Sequence, residues 1–343
     1  MVHVMELHRI TVAGAGSIGC FVGGLLAAAG REVILLGRQR VIGELATHGL
    51  HLTDFAGPSF DLAADRVGLS IDPASALARS DLILVAVKSG GTEAIAAEIA
   101  EHARPDAIVV SLQNGVENAA RLRRALPGRT VIAAMVPFNV VHRGEGRFHR
   151  GTSGALTIAA GHPEVEAALS APGLPIVARA DMEAVQWGKL VINLNNALNA
   201  LSGLTLHEQL GDRRWRVKLA GQQVEALKLL KVAGIAPAAF GPIPLRLFPY
   251  LLRLPNWAYR RLAARGIKID RTARSSMWED LQRGRPTEID ELQGAVVALA
   301  ERLGRQAPEN ARVREQVRAA ERASMTPAKD LQVDSPVPGS GVS

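Results

Sequence analysis

Six residues near the amino end, Gly14-Ala15-Gly16-Ser17-Ile18-Gly19, carry the sharpest chemical signal in the chain. They follow a short apolar run and open a long apolar stretch, the context in which a G-x-G-x-x-G pattern marks a dinucleotide site rather than a bare glycine-rich turn. Gly14 permits a tight turn, Gly16 lets the backbone approach a pyrophosphate, and Gly19 lets the next helix pack on the sheet. The helix amino end favours the negative charge. All six residues are therefore candidates for cofactor binding.

The end of the second strand selects between dinucleotides, because enzymes that use NAD place an acid there for the ribose hydroxyls. Here the sequence reads Leu35-Leu36-Gly37-Arg38-Gln39-Arg40, with no acid. Arg38 stands where a 2′-phosphate would lie, so NADP(H) is the expected cofactor; the competing reading has Arg38 close a surface loop. Two more strand ends carry polar groups, Lys88 after Val85-Ala86-Val87 and Asn114 within Ser111-Leu112-Gln113-Asn114-Gly115. Ligands of open parallel sheets bind beyond such ends. Lys88 is placed towards the cofactor phosphates or adenine and Asn114 towards the nicotinamide and substrate, against the plainer reading of both as turn residues.

A third cluster lies in Gln186-Trp187-Gly188-Lys189-Leu190-Val191-Ile192-Asn193-Leu194-Asn195-Asn196. As a helix this segment puts Lys189, Asn193 and Asn196 on one face, at i, i+4 and i+7. A polar stripe on an otherwise apolar helix lines a wet cleft or a buried polar network. A lysine there is a candidate general acid, since burial lowers its pKa towards neutrality; taken alone, the helix also allows a lysine that snorkels to the surface.

Taken together, Gly14–Gly19, Lys88, Gln113-Asn114-Gly115, Trp187-Gly188-Lys189 with Asn193, and Ser275-Ser276-Met277 followed by Thr287-Glu288-Ile289-Asp290 resemble the ketopantoate reductase (2-dehydropantoate 2-reductase) family. The resemblance spans about residues 9–320 and carries no recognised motif over Pro242–Lys268. It implies NADPH-dependent reduction of 2-dehydropantoate to pantoate, in the pantothenate and coenzyme A pathway. It also implies roles: Lys189 protonates the ketone oxygen, Asn193 and Ser276 hold substrate, and Glu288 acts near the cofactor and active centre, where the alternative is a helix-capping acid. Two positions depart from the family pattern. Ala197 and His207 stand where asparagines are usual, although Asn196 adjoins the first. A reductase of another 2-oxo acid and a non-catalytic NADP(H)-sensing protein are the alternatives that the sequence leaves open.

The elements that must position these groups fall into two halves. Ile10–Ala13, Glu32–Gly37, Leu82–Val87 and Ala107–Leu112 read as strands, separated by helical patterns over Ser17–Ala29, Glu93–Ala103 and Val116–Leu126. That alternation predicts an α/β fold, a Rossmann domain with a parallel sheet. Val131–Val177, punctuated by Gly144, Gly146, Gly151 and Gly154, is expected to finish the sheet with hairpin-like strands. From Asp181 helical periodicity takes over, at Asp181–Leu201, Gly211–Ala233, Arg271–Arg283, Ile289–Leu303 and about Glu309–Ala323. The expected division is 1–180 for nucleotide binding, 181–325 as an all-helical catalytic domain, and 326–343 as a disordered tail.

Composition agrees with two domains: 343 residues, 48% apolar and only 4% aromatic, suit close helix and strand packing better than a β-sandwich. The single cysteine, Cys20, excludes an internal disulfide and reads as a small buried hydrophobe. No secretory pattern opens the chain and no run of roughly 18 apolar residues occurs, so a cytoplasmic protein without a membrane partner is expected. The net charge of +7 arrives without any nucleic-acid-binding signature, and a cleft that steers an anionic cofactor and carboxylate substrate, together with ordinary solvated surface, accounts for it. Arg246, Arg253 and Arg260 recur every seven residues beside Leu247, Leu251 and Leu254, interrupted by Pro249 and Pro255, and read as a solvated face or a loop over the cleft. No metal is expected. A homodimer is compatible with the sequence, which does not set the oligomeric state.

Overall fold

Short apolar runs that alternate with helices can bury themselves only by stacking side by side with the helices packed on their faces. In the computed structural model, which describes residues 7–55, 57–241, 243–266 and 273–325, they do so. The first half runs β1 (Arg9–Ala13), α1 (Ser17–Ala28), β2 (Glu32–Leu36), α2 (Gln39–His48), β3 (Leu50–Asp54), β4 (Phe60–Leu62) and β5 (Gly68–Ser70). It continues through α3 (Pro73–Leu77), β6 (Leu82–Val85), α4 (Thr92–His102), β7 (Ile108–Ser111), α5 (Asn118–Ala125) and β8 (Val131–Met135). Strands β5, β2, β1, β6, β7 and β8 lie side by side and parallel. Every residue of β6 and β7 is buried, as unbroken apolar runs covered on both faces require. The chain leaves β1 towards β2 and later returns to β6 on the other side. The sheet therefore has its switch point between β1 and β6, where a crevice opens beyond the strand ends.

Beyond Val131 the chain departs from the expected run of hairpins. β9 (Val140–His142) and β10 (Arg147–Arg150) leave the main sheet and join β3 and β4 in a second, four-stranded one, ordered β4-β3-β10-β9. Helix α1 packs both against β1 and β2 and against this second sheet, so Cys20, Phe21 and Leu25 sit in a core shared by the two. β11 (Leu156–Ala159) then pairs antiparallel with β8. Helix α6 (Pro163–Leu169), absent from the sequence reading, carries the chain across to β12 (Ile176–Arg179), parallel to β11.

The second half is helical: α7 (Met182–Asn193), α8 (Asn195–Ser202), α9 (Leu206–Gly211), α10 (Arg213–Val232), α11 (Phe248–Leu252) and α12 (Asn256–Gly266). It closes with α13 (Ser276–Gln282), α14 (Ile289–Arg302) and α15 (Pro308–Met325). Its core gathers Trp187, Leu190, Leu194, Leu230, Val296 and Val317. Two expected helices come out differently. Asp181–Leu201 breaks at Leu194 into α7 and α8. The Arg271–Arg283 helix starts only at Ser276, because the Ser275 hydroxyl accepts the Trp278 N–H at 3.2 Å and caps it; residues 271 and 272 lie outside the described residues, as does the tail expected over 326–343.

Arg246, Arg253 and Arg260 do not share one helix face. Pro249 sits in the first turn of α11 and Pro255 directly precedes α12, which makes an elbow. Buried Arg216 of α10 pins that elbow, donating to the carbonyls of Leu252 and Leu254 and to Asn256 Oδ1 at 2.8–3.1 Å, with its guanidinium over the Tyr259 ring. Arg253 is half-buried and bonds Pro249 O, whereas Arg246 and Arg260 are exposed. Among the described residues no helix is long and apolar enough to cross a membrane.

Candidate active site

The glycine turn joins β1 to α1 at the switch point. Gly14 adopts φ +120°, and a Cβ there would lie 2.6 Å from Val87 N, at the end of neighbouring β6. A Cβ on Gly19 would lie 2.0 Å from Gly14 O, so neither position tolerates a side chain. Gly14 N and Ala15 N both bond Leu36 O, which ties the turn to the end of β2. At Gly16 the space is open, with no atom within 4 Å of where a Cβ would stand. The first-turn amides of Ser17, Ile18 and Gly19 have no intrahelical acceptor, and no acidic side chain occupies that turn. Free N–H donors at a helix start facing open space fit an anionic pyrophosphate.

Arg38 caps α2 immediately after β2, exposed and without an ion pair among the described residues. Arg40, by contrast, pairs with Glu44 at 3.7 Å. A Cβ on Gly37 would meet Ala15 Cβ at 2.5 Å, so Arg38 adjoins the glycine turn.

Across the crevice, α7 shows why Trp, Gly and Lys adjoin. Trp187 is buried in the helical core, and Gly188 gives its face to the chain around Ala238, whose carbonyl would lie 2.2 Å from an added Cβ. Lys189 turns the other way, into the cleft. It is half-buried, and its Nζ donates to Pro137 O at 3.0 Å. No carboxylate lies within ion-pair distance among the described residues. Burial with no countercharge lowers its pKa from 10.5 to about 8.

Two adjoining cavities that open to solvent make up the cleft. The first is lined by Gln113, Gln186, Lys189 and Asn193, the second by Asn196, Ser276, Asp280 and Glu288, and Asn114, Asn193 and Leu292 border both. Lys189, Asn193, Asn196, Asn114, Ser276 and Glu288, far apart in the chain, thus meet at one place. The carboxamides of Asn193 and Asn196 and the Ser276 hydroxyl have no hydrogen-bond partner among the described residues. Ala197 is fully buried in the helical core and His207 is exposed on α9, so Asn196 is the carboxamide that α8 offers to the cavity.

Glu288 precedes α14, but its carboxylate makes no capping bond. It reaches across the cleft instead, accepting from Asn114 Nδ2 at 3.0 Å and Ser89 Oγ at 3.4 Å. Behind these lies a buried network that sequence reasoning missed. Asn118 Nδ2 donates to Ser89 Oγ and to Asn114 O. Thr92 Oγ1 accepts from Gln113 Nε2 at 2.7 Å and donates to Ser89 O at 2.8 Å. Lys88, expected at the cofactor, forms an ion pair with Asp280 of α13 at 2.5 Å and is thereby held to the helical half. Asp280 also went unread: an acid in a helix interior announces nothing until the fold shows it lining a cavity.

Family profiles match this chain over residues 10–163, described as ketopantoate reductase PanE/ApbA, and over residues 181–321, described as its C-terminal part. A 2-dehydropantoate 2-reductase of Archaeoglobus fulgidus is 30% identical, over 88% of this chain and 93% of its own. One of Halobacterium salinarum is 29% identical over 85% and 92%. The crystal structure of a PanE/ApbA family ketopantoate reductase from Ralstonia eutropha superposes with a TM-score of 0.78 at 29% identity, covering 93% of this chain and all of that one. With family profiles matched over residues 10–163 and 181–321, the chain belongs to the ketopantoate reductase family and is an oxidoreductase that acts on a ketone or its CH–OH counterpart.

Proposed function

We propose that this protein reduces 2-dehydropantoate to pantoate with NADPH, the step that provides pantoate for pantothenate and coenzyme A. Catalysis then lies in the cleft between a nucleotide-binding part, residues 1–180, and a helical part, residues 181–325. The observation that carries the reading is Lys189, a half-buried ammonium bonded to one carbonyl, with a pKa of about 8, in a cavity bordered by free carboxamides.

The reduced nicotinamide, when bound, supplies a hydride to the carbonyl carbon of the substrate. Lys189 supplies the proton to the ketone oxygen, and its bond to Pro137 O keeps the ammonium aimed into the cavity. Burial favours the neutral amine that remains, so transfer runs with the environment. Asn193, Asn196 and Ser276 offer uncommitted donors to the carboxylate and hydroxyl of a small 2-oxo acid. Glu288, positioned by Asn114 and Ser89, orients substrate or ribose hydroxyls at the rim. Gly14, Ala15, Gly16, Ser17, Ile18 and Gly19 hold the pyrophosphate, Arg38 the 2′-phosphate, and Asn114 borders the nicotinamide.

A second reading, reduction of a different 2-oxo acid, is favoured by Ala197 in the core and His207 at the surface. One assay separates the two: loss of nicotinamide absorbance with 2-dehydropantoate and a panel of branched 2-oxo acids, using NADPH and NADH. NADPH-selective turnover of 2-dehydropantoate supports the first reading, and preference for another acid supports the second. Binding of NADPH with no turnover of any acid overturns both. Lys189→Ala is expected to lower kcat about a thousandfold while NADPH still binds.

A further inference from the structure

Helices α7 and α8 are nearly continuous, and their junction is where regularity fails. Leu194 joins them at φ −53° and ψ −22°, with its N–H still bonded to Leu190 O. Leu194 is a turn residue that belongs to neither helix. The regular ladder from each N–H to the carbonyl four residues back is thus interrupted at this junction.

Side chains from two other helices step in. Gln223 of α10 donates from Nε2 to Val191 O at 3.2 Å. Gln293 of α14 donates from Nε2 to Leu194 O and to Gln222 Oε1, each at 2.9 Å. Gln223 is 2% exposed and Gln293 not at all. Their Oε1 atoms have no partner, so burying these amides among leucines and alanines carries a penalty that an apolar residue would avoid. What an apolar residue could not do is hold a carbonyl at the break.

The break decides which side chain enters the substrate cavity. At about 100° per residue, an unbroken helix would put Asn196 about 20° to one side of Lys189 and Ala197 about 80° to the other. Asn193 and Gln186 lie on Ala197's side, so a straight helix would present alanine to the cavity about as squarely as asparagine. In the broken helix Asn196 lines the cavity and Ala197 is fully buried. Gln293 sits one residue beyond Leu292, which borders both cavities, and five beyond Glu288. The same helix therefore carries site groups and the clamp.

We propose that Gln223 and Gln293 are positioning residues for substrate binding, which fix the α7–α8 break so that Asn196 faces the substrate. The inference rests on the reading of Asn196 as a substrate-binding residue. Gln293→Met keeps length and removes the donor. It is expected to raise KM for the 2-oxo acid about tenfold, with kcat, the pH profile and NADPH affinity within about twofold. Asn196→Ala should raise KM likewise, and the double variant should lose no more kcat/KM than Asn196→Ala alone, because the clamp acts through that carboxamide. Losses that multiply in the double variant overturn the proposal, since a general loosening of the core would act independently of Asn196. Should Gln293→Met fail to fold, the same cycle with Gln223→Met, which gives up only the bond to Val191 O, decides it. A KM unmoved by Asn196→Ala refutes the reading of Asn196, and the clamp with it. A KM raised by Asn196→Ala but untouched by either glutamine variant refutes the clamp alone.

Discussion

At the scale of single residues, the site turns on a lysine without a countercharge. An ammonium beside a carboxylate would hold its proton more tightly, whereas Lys189 meets only a carbonyl, and burial brings its pKa to about 8. The protonated form is the donor for reduction, so kcat/KM in that direction should be level below this value and fall as pH rises through about 8. A profile flat to pH 10, roughly two units above that midpoint, would remove Lys189 as the acid. Lys189→Arg should be nearly as inactive as Lys189→Ala, because a guanidinium keeps its charge but does not release a proton in this range. Arg38 is argued in the same way, from the absence of an acid at the end of β2. Arg38→Ala should raise KM for NADPH about tenfold and leave that for NADH within about twofold, and equal effects on both would sink the 2′-phosphate role. These residues were legible because each sits in a short run with its own mechanical reason. Ser89, Thr92, Asn118 and Asp280 were not, since a buried serine and a solvated one look alike in sequence.

At the scale of elements, the parallel strands and α10, α14 and α15 were legible because a period of 2 or 3.6 persisted between turn signals. The break at Leu194 was illegible for a physical reason: no glycine or proline marks it, and the side chains that bond carbonyls at the junction lie about 30 and 100 residues further on. Helix α6 had a signal that went unused, Pro163 at its first turn with Glu164 and Glu166 behind it. The second sheet was beyond reach, since β3 pairs with β10 almost a hundred residues later. Gly188 gives the element scale its prediction. Its neighbours Trp187 and Lys189 face opposite ways, and the close contact with Ala238 O fixes that roll of α7. Gly188→Ala should destabilise the protein by about 1–3 kcal/mol and lower Tm, and an unchanged melt would mean the 235–240 segment yields freely.

At the scale of the whole molecule, the excess positive charge is concentrated in one stretch of the sequence. Residues 241–275 hold eight of the 40 basic residues and one of the 33 acids, which leaves 32 of each in all the rest of the chain. The net +7 thus belongs to one segment. Its arginines 246, 253, 260, 261 and 274 line neither cavity, and at the cleft itself Lys88 is offset by Asp280. Exposed charges that do not line the cleft act on an incoming anion only through solvent, where screening sets in over about 8 Å at physiological salt. Arg260→Glu with Arg261→Glu reverses two charges and takes the net from +7 to +3, enough to shift elution from a cation exchanger. The kcat/KM for the 2-oxo acid, and its dependence on salt, should nevertheless stay within about twofold of the parent. A several-fold fall that appears only at low salt would restore the elbow as part of the field that brings substrate in.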